Sequence, residues 1–575
     1  MPRFLAPVLL VALVASALTL TLIGVHSAPI GPPRVKLAVL VVFDQMRGDY
    51  PVRWQKLYGT DGFERMKRDG VWFANCHYPY GTTTTGPGHA SILSGTCGDR
   101  HGIVNNNWFE GGRLVYCAAS ERYNLVPSEG NSRGNLKEAG NPDRMLAATV
   151  ADALKTQRRG AKVFGLSLKD RSAILPTGKH PDGAYWFTGQ FVTSSYYRDR
   201  VHPWVERFNE SKAADAWFGK DWTRFRTDID YAAFSGPDDF PGEGKGIEVK
   251  DGPAKGWSQK VTFPHPNTGA SSKPGKDYYE ALANSPFGNE LLLQFAKECI
   301  TAEHLGEDAV PDLIVLSFSS NDLIGHTWGP DSQEMLDVTL RSDAIIADLL
   351  KFLDAKVGPD QYLLGITADH GICPLPEASR AKGLDAKRVA PASLAKAIDE
   401  HLTEKFSTPG SNTKSTVWVE SFTGSFPWVY FNPKALSTAK KTREQAAAET
   451  AAFLRKHPDV GRVFTRQELE GRFPPMDVVG NRAKRSFHPG RSGDVYVVLK
   501  EWYIPYPQLS TGTTHGAPYD YDTHVPLMLI GPGLTGGEQN QRTTPQAMAQ
   551  IFSKWLGIRP PKQAEFPLPS VLEGK

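Results

Sequence analysis

Apolar residues in this chain gather into short, nearly unbroken runs that stop at charged or polar side chains. Val35 to Phe43 is rich in valine and ends at Asp44; Leu313 to Phe318 leads to Asp322; Tyr362 to Thr367 leads to Asp369 and His370; Lys162 to Leu168 leads to Lys169 and Arg171. Runs of this length without polar alternation predict strands buried on both faces, as in parallel sheets. Val495 to Leu499 and Val525 to Ile530 predict two more strands. Helical patterns at Gln333 to Leu353 and Ala392 to Lys405 lie between them. Strands alternating with helices predict an α/β fold: a doubly wound, mostly parallel sheet flanked by helices. Such sheets bind ligands beyond the carboxyl ends of their strands, so polar residues just past several strand ends converge on one crevice.

Two stretches break the rhythm. Residues from about 183 to about 276 are rich in aromatics, Gly, Pro and Asp, and predict an insertion capping the crevice. A second insertion is predicted from about 375 to about 487, with a helix at Thr442 to His457 and strands at Val417 to Val419 and Trp428 to Phe431. Either could support the core or shape substrate choice. At the start, Arg3 precedes an uncharged apolar run from Leu5 to Val25, followed by small residues near Ser27 and Ala28. Residues 1–28 thus read as a signal peptide, with an uncleaved membrane anchor as the alternative. Both predict export, to the periplasm or beyond.

The formal charge is +3 and basic residues are dispersed, which argues against a nucleic-acid partner. Five cysteines (Cys76, Cys97, Cys117, Cys299, Cys373) include no C-x-x-C pair; in an exported chain they permit two disulfides and one free thiol.

Asp322 and His326 stand four residues apart, on one face of a helical turn where both can grip one metal ion. Asp369-His370-Gly371 and Thr514-His515-Gly516 add to a set of oxygen and nitrogen donors located at strand ends. Three Asp and three His suffice for two zinc ions. Gly81 to Ser91 reads as a loop entering a helix, with Pro87 in the first turn and Thr85 at the positive end. A metal-coordinated hydroxyl there becomes a nucleophile, while helix amides receive phosphate oxygens.

Phe43-Asp44-Gln45-Met46-Arg47, Thr85-Gly-Pro-Gly-His89, Asn321-Asp322 with His326, Ala368-Asp369-His370-Gly371 and Thr514-His515-Gly516 resemble, in order and spacing, the alkaline phosphatase superfamily, and its phosphate-irrepressible members above all. The resemblance spans nearly the whole chain after the leader and implies a single catalytic domain over residues 29–575. It implies that Asp322, His326 and His515 bind one zinc ion, and that Asp44, Asp369 and His370 bind a second together with Thr85. It also implies a covalent phosphothreonine on Thr85, and that Asn106 donates to a phosphoryl oxygen, with Asn105 and Asn107 as alternatives. Lys169 and Arg171 match a Lys-x-Arg pair of the monoesterases; two residues apart in extended chain, they face the same way.

Two divalent ions, three carboxylates and a Thr85 alkoxide sum to zero charge, so Lys169 and Arg171 are matched to the dianionic phosphate monoester. Small-molecule monoesters are therefore the expected substrates, and a monomer the expected form. The competing reading is a phosphodiesterase or nucleotide pyrophosphatase of the same superfamily, which shares metals, threonine and asparagine but lacks the Lys-x-Arg pair. Cys97-Gly98-Asp99-Arg100 lacks the proline of the sulfatase motif. A non-catalytic zinc-binding protein would have no use for Thr85. His89, His101 and His524 are expected to be structural.

Overall fold

The structure, a computed structural model, describes residues 32–127, 137–406, 416–506 and 511–574. The apolar run Leu5 to Val25, read as leader or anchor, lies outside the described residues. Among those described, no helix is long and apolar enough to cross a membrane.

An eleven-stranded sheet forms the frame among the described residues. At its centre lie Tyr362–Ala368, Leu37–Phe43, Asp312–Phe318, Val163–Ser167 and Gly183–Phe187, all parallel and adjacent in that order. Every residue of these five strands is buried, which explains why their sequences run apolar without alternation. Toward the edges the sheet turns antiparallel. Leu527–Ile530 pairs antiparallel with Tyr362–Ala368, and Phe191–Ser194 pairs antiparallel with Gly183–Phe187. Helices flank the sheet: Pro286–Ala302 packs on Asp312–Phe318, and Met548–Trp555 packs on Tyr362–Ala368. Gln333–Lys356 and Pro391–Phe406 form as predicted.

Both predicted insertions need new boundaries. The first begins with two strands of the main sheet, Gly183–Phe187 and Phe191–Ser194. Tyr185-Trp186-Phe187 reads as irregular in sequence because both of its faces are buried, which removes the period-two signal. The second reaches beyond residue 487 to take in Val495–Leu499, which joins a separate four-stranded antiparallel sheet with Val419–Ser421, Trp428–Phe431 and Val460–Thr465. That small sheet is backed by Pro391–Phe406 and Arg443–Leu454 around a core of its own, including Leu394, Ile398, Val429 and Val497. An apolar run alone cannot tell which sheet a strand joins. Of the pairing that five cysteines permit, none forms: all five are unpaired and buried, packing as small apolar side chains.

The carboxyl ends of the central strands are tied down by close backbone packing. A Cβ on Gly165 would stand 2.1 Å from the carbonyl oxygen of Ala173, in the short helix Asp170–Ile174 that folds back over its own strand. Gly165→Ala should therefore displace that helix and lower the unfolding free energy by about 1–3 kcal/mol in a urea titration. An unchanged midpoint would show that the helix yields freely.

Candidate active site

Register sets the first pair of carboxylates. Phe43 pairs with both Phe318 and Ala368 in the parallel sheet, so Asp44 and Asp369, one residue further along neighbouring strands, emerge side by side. Both are fully buried. The Gln45 amide donates to Asp369 Oδ1 at 3.0 Å, and Gln45 takes a left-handed φ of 65° as the chain turns over the strand end. Asp322 lies on the helix Ser320–Trp328, which follows Asp312–Phe318, and His326 lies one turn on with Nε2 3.2 Å from Asp322 Oδ1.

All three predicted histidine ligands are held the same way. His326 Nδ1 lies 2.8 Å from the Thr513 carbonyl, His370 Nδ1 2.9 Å from the Gly371 carbonyl, and His515 Nδ1 2.7 Å from the Thr83 carbonyl. A carbonyl only accepts, so each Nδ1 carries the proton and a neutral ring leaves its Nε2 lone pair free. Those Nε2 atoms face carboxylate oxygens, at 3.4 Å for His515 to Asp322 and 3.3 Å for His370 to Asp369. Lone pairs facing lone pairs need a proton or a cation between them. Oδ1 of Asp44 and Oδ1 of Asp322 are buried with no hydrogen-bond partner, while Oδ2 of Asp44 faces the Lys169 ammonium and Oδ2 of Asp369 the His89 ring. The donor set thus fits divalent cations. Ligand atoms of Asp44, Asp369 and His370 cluster within 4.8 Å of one another, as do those of Asp322, His370 and His515. The second cluster contains His370 where the expected set had His326, because the His370 and His515 rings stack at 3.5 Å. Another cluster, Cys97, Asp99 and Glu565, already has the guanidinium of Arg485 2.8 Å from Glu565.

Thr85 opens the helix Thr85–Ser94, fully inside the protein. Its hydroxyl lies 3.5 Å from His370 Nε2 and 3.3 Å from Arg171 Nη2. Asn106 Oδ1 accepts from the Gly86 amide at 2.6 Å, in the first turn of that helix. Asn105 is spent elsewhere: its oxygen accepts from Thr84 and from the Asn106 amide, and its amide donates to the Phe426 carbonyl at 2.7 Å. Asn107 starts the hairpin strand Asn107–Glu110. Of the three, Asn106 is the one beside Thr85.

Lys169 Nζ bridges the two halves, 2.7 Å from Asp44 Oδ2 and 2.5 Å from Asp322 Oδ2. Burial opposes its charge, but Asp322 and Asp44 outweigh it and hold the ammonium above the ordinary lysine range. Burial, then the neighbouring Asp369, push the Asp44 carboxyl up to about 7 despite Lys169. Burial likewise opposes ionisation of Asp322, yet His326 and Lys169 keep it well below the usual range. Burial lowers His370 to about 3, favouring the neutral ring that a metal requires.

Several contributors were invisible in the sequence. Tyr116 accepts from Arg171 Nη1 at 3.2 Å and donates to Asp170 at 2.6 Å, fixing the guanidinium. His89, expected to be structural, braces the site directly: Nδ1 is 3.0 Å from the Thr85 carbonyl and 3.2 Å from Asp369 Oδ2, and Nε2 is 2.8 Å from Ser317. Its position four residues after Thr85, on the same helix face, was the available signal. His101 bonds Ser91, and His524 stacks on His77 away from the ligands. Both insertions grip the site loops. Gly244 donates to Thr327 and Gly512 to Gly242, while Ser486 Oγ accepts from the amides of Gly81 and Thr82.

The family model described as type I phosphodiesterase / nucleotide pyrophosphatase matches residues 38–518. Alkaline phosphatase PafA of Elizabethkingia meningoseptica is 32% identical over 544 residues, covering 92% of this chain and 93% of the relative. Alkaline phosphatase PhoV of Synechococcus elongatus is 32% identical over 536 residues, covering 92% and 91%. The crystal structure of wild-type alkaline phosphatase PafA superposes with a TM-score of 0.83 at 32% identity, over 94% of this chain and 99% of that one. With its buried aspartates and histidines at the carboxyl ends of a matching sheet, the chain belongs to the type I phosphodiesterase / nucleotide pyrophosphatase family of the alkaline phosphatase superfamily.

Proposed function

We propose that this protein is a zinc-dependent phosphomonoesterase that works through a covalent phosphothreonine on Thr85. The observation that carries this reading is the convergence of two cations on the nucleophile's surroundings: Arg171 Nη2 lies 3.3 Å from the Thr85 hydroxyl, and Lys169 Nζ lies 2.7 Å from Asp44. A monoester brings nearly two negative charges and three equatorial oxygens, for which the Arg171 guanidinium, the Lys169 ammonium and the Asn106 side-chain amide supply donors. A diester carries one charge and a bulky group where these cations stand.

Asp44, Asp369 and His370, with Thr85, would hold one ion, and Asp322, His326 and His515 the other. Bound there, zinc would lower the pKa of the Thr85 hydroxyl and neutralise charge on the leaving oxygen. Arg171, fixed by Tyr116, orients the Thr85 oxygen and a phosphoryl oxygen together. Thr85, having lost its proton, bonds to phosphorus as the bond to the leaving oxygen breaks. Water then attacks the phosphothreonine from the vacated side, releasing phosphate and restoring the hydroxyl. The leader-like N-terminus supports an exported, periplasmic or secreted enzyme, and the dispersed charge supports small-molecule substrates over nucleic acid.

The family description keeps phosphodiesterase as the second reading. The test compares kcat/KM for p-nitrophenyl phosphate and bis-p-nitrophenyl phosphate in wild type and in Lys169→Ala/Arg171→Ala. The monoester should be strongly preferred, and the double variant should lose about 10²-fold or more on it while keeping diesterase activity. A wild type that favours the diester establishes the second reading instead. Thr85→Ala should lose at least about 10³-fold in kcat and form no covalent phosphoprotein in acid-quenched turnover; turnover near the wild-type rate would remove Thr85 as nucleophile.

A further inference from the structure

Three segments carry Thr85 and three of the six ligand candidates, Asp369, His370 and His515: Thr82 to Thr85, Asp369 to Ile372, and Thr514 to Ala517. They are far apart in sequence, and all three meet on one short helical turn, Asp520–Thr523. Asp522 in that turn is fully buried. Its Oδ2 accepts from the amides of Gly516 at 2.8 Å and Ala517 at 2.7 Å, and the Thr83 hydroxyl stands 3.3 Å away. The backbone of the same turn takes the third loop, with the Gly371 amide donating to the Asp522 carbonyl at 2.7 Å and Ile372 to Tyr521 at 2.9 Å. The approach is so close that a Cβ on Gly371 would lie 2.1 Å from the Tyr521 carbonyl oxygen.

The loops are also cross-tied above this turn. Thr83 shares its hydroxyl proton with the Ala517 carbonyl at 3.0 Å, and its own carbonyl fixes His515 Nδ1 at 2.7 Å. Cys373 donates to the Thr514 carbonyl at 3.3 Å. Removing the Asp522 carboxylate therefore strands two part-buried amides and frees the loop whose next residue back is His515. It also loosens Thr83, two residues before Thr85. A buried N–H left without an acceptor forces the backbone to move toward water, and here that movement would carry a metal ligand with it.

We propose that Asp522 is a positioning residue that locks the His515 loop, the His370 loop and the nucleophile loop into one arrangement, so that metal retention depends on it. This rests on the zinc reading of the site. Asp522 belongs to neither cluster of ligand atoms; it acts through His515, His370 and Thr85. Outer contacts of this kind change metal affinity by about 10–100-fold when removed.

The test measures zinc affinity by chelator competition in the full-length chain, independently of turnover, together with the melting temperature of the zinc-free protein. Asp522→Ala is expected to weaken zinc binding by about 10–100-fold, and Asp522→Asn, which keeps an acceptor oxygen, by less. Thr83→Val, which keeps the side chain's shape and removes only the hydroxyl, is expected to weaken it by a few fold and carries the test should Asp522→Ala not fold. Variants that hold zinc within two-fold of wild type, about the error of such a competition, overturn the proposal, including when the zinc-free melting temperature falls, since that is a purely structural role. A wild type that binds no zinc removes the zinc reading itself, and this inference with it.

Discussion

Three aspartates brought together inside a dry pocket cannot all remain ionised without positive charge between them. Asp44, Asp322 and Asp369 are nearly or wholly inaccessible to solvent, and among the described residues Lys169 is the one ammonium that touches two of them. The rest of the site is organised around that deficit. Three imidazoles turn their lone pairs toward the carboxylates because three backbone carbonyls hold their other nitrogens. An arrangement so short of protein donors is stable only if something cationic completes it, and its donors are those that divalent ions take.

The sheet supplies the precision. Equal register across Leu37–Phe43 and Tyr362–Ala368 places Asp44 beside Asp369 without any loop being involved, and the helix after Asp312–Phe318 offers Asp322 and His326 from one face. His515 comes instead from a loop, and loops need support. That support comes from regions that look decorative in sequence: Gly242 and Gly244 from the first insertion, and Phe426 and Ser486 from the second, each bonding a segment that carries a site residue or flanks one. The insertions thus do for the loops what hydrogen bonding between strands does for the strand ends.

The central strands, and the acids and histidines that converge past their ends, were legible because each strand is a solid apolar run cut off by a charged residue. Lys169 and Arg171 do lie just past a strand end, but Arg171 stands in the helix Asp170–Ile174 and not in the extended segment expected. Two strands were not placed: Gly183–Phe187 is apolar and aromatic on both faces and gives no period, while Val495–Leu499 could equally have joined either sheet. Tyr116, His89 and Asp522 act through contacts between segments far apart in the chain, such as His89 to Ser317, and no local pattern encodes such a contact. Which asparagine lies nearest the nucleophile loop was open in sequence, since the hydrogen bond from the Gly86 amide to Asn106 joins separate segments.

The most direct measurement is a crystal structure of the zinc-loaded protein with anomalous data collected on either side of the zinc edge. Two peaks are expected at the carboxyl ends of the central strands, one among Asp44, Asp369 and His370 and one among Asp322, His326 and His515, with the Thr85 oxygen beside the first. Density at neither position, with Lys169 still bridging Asp44 and Asp322, would contradict a two-metal site and the phosphatase chemistry built on it.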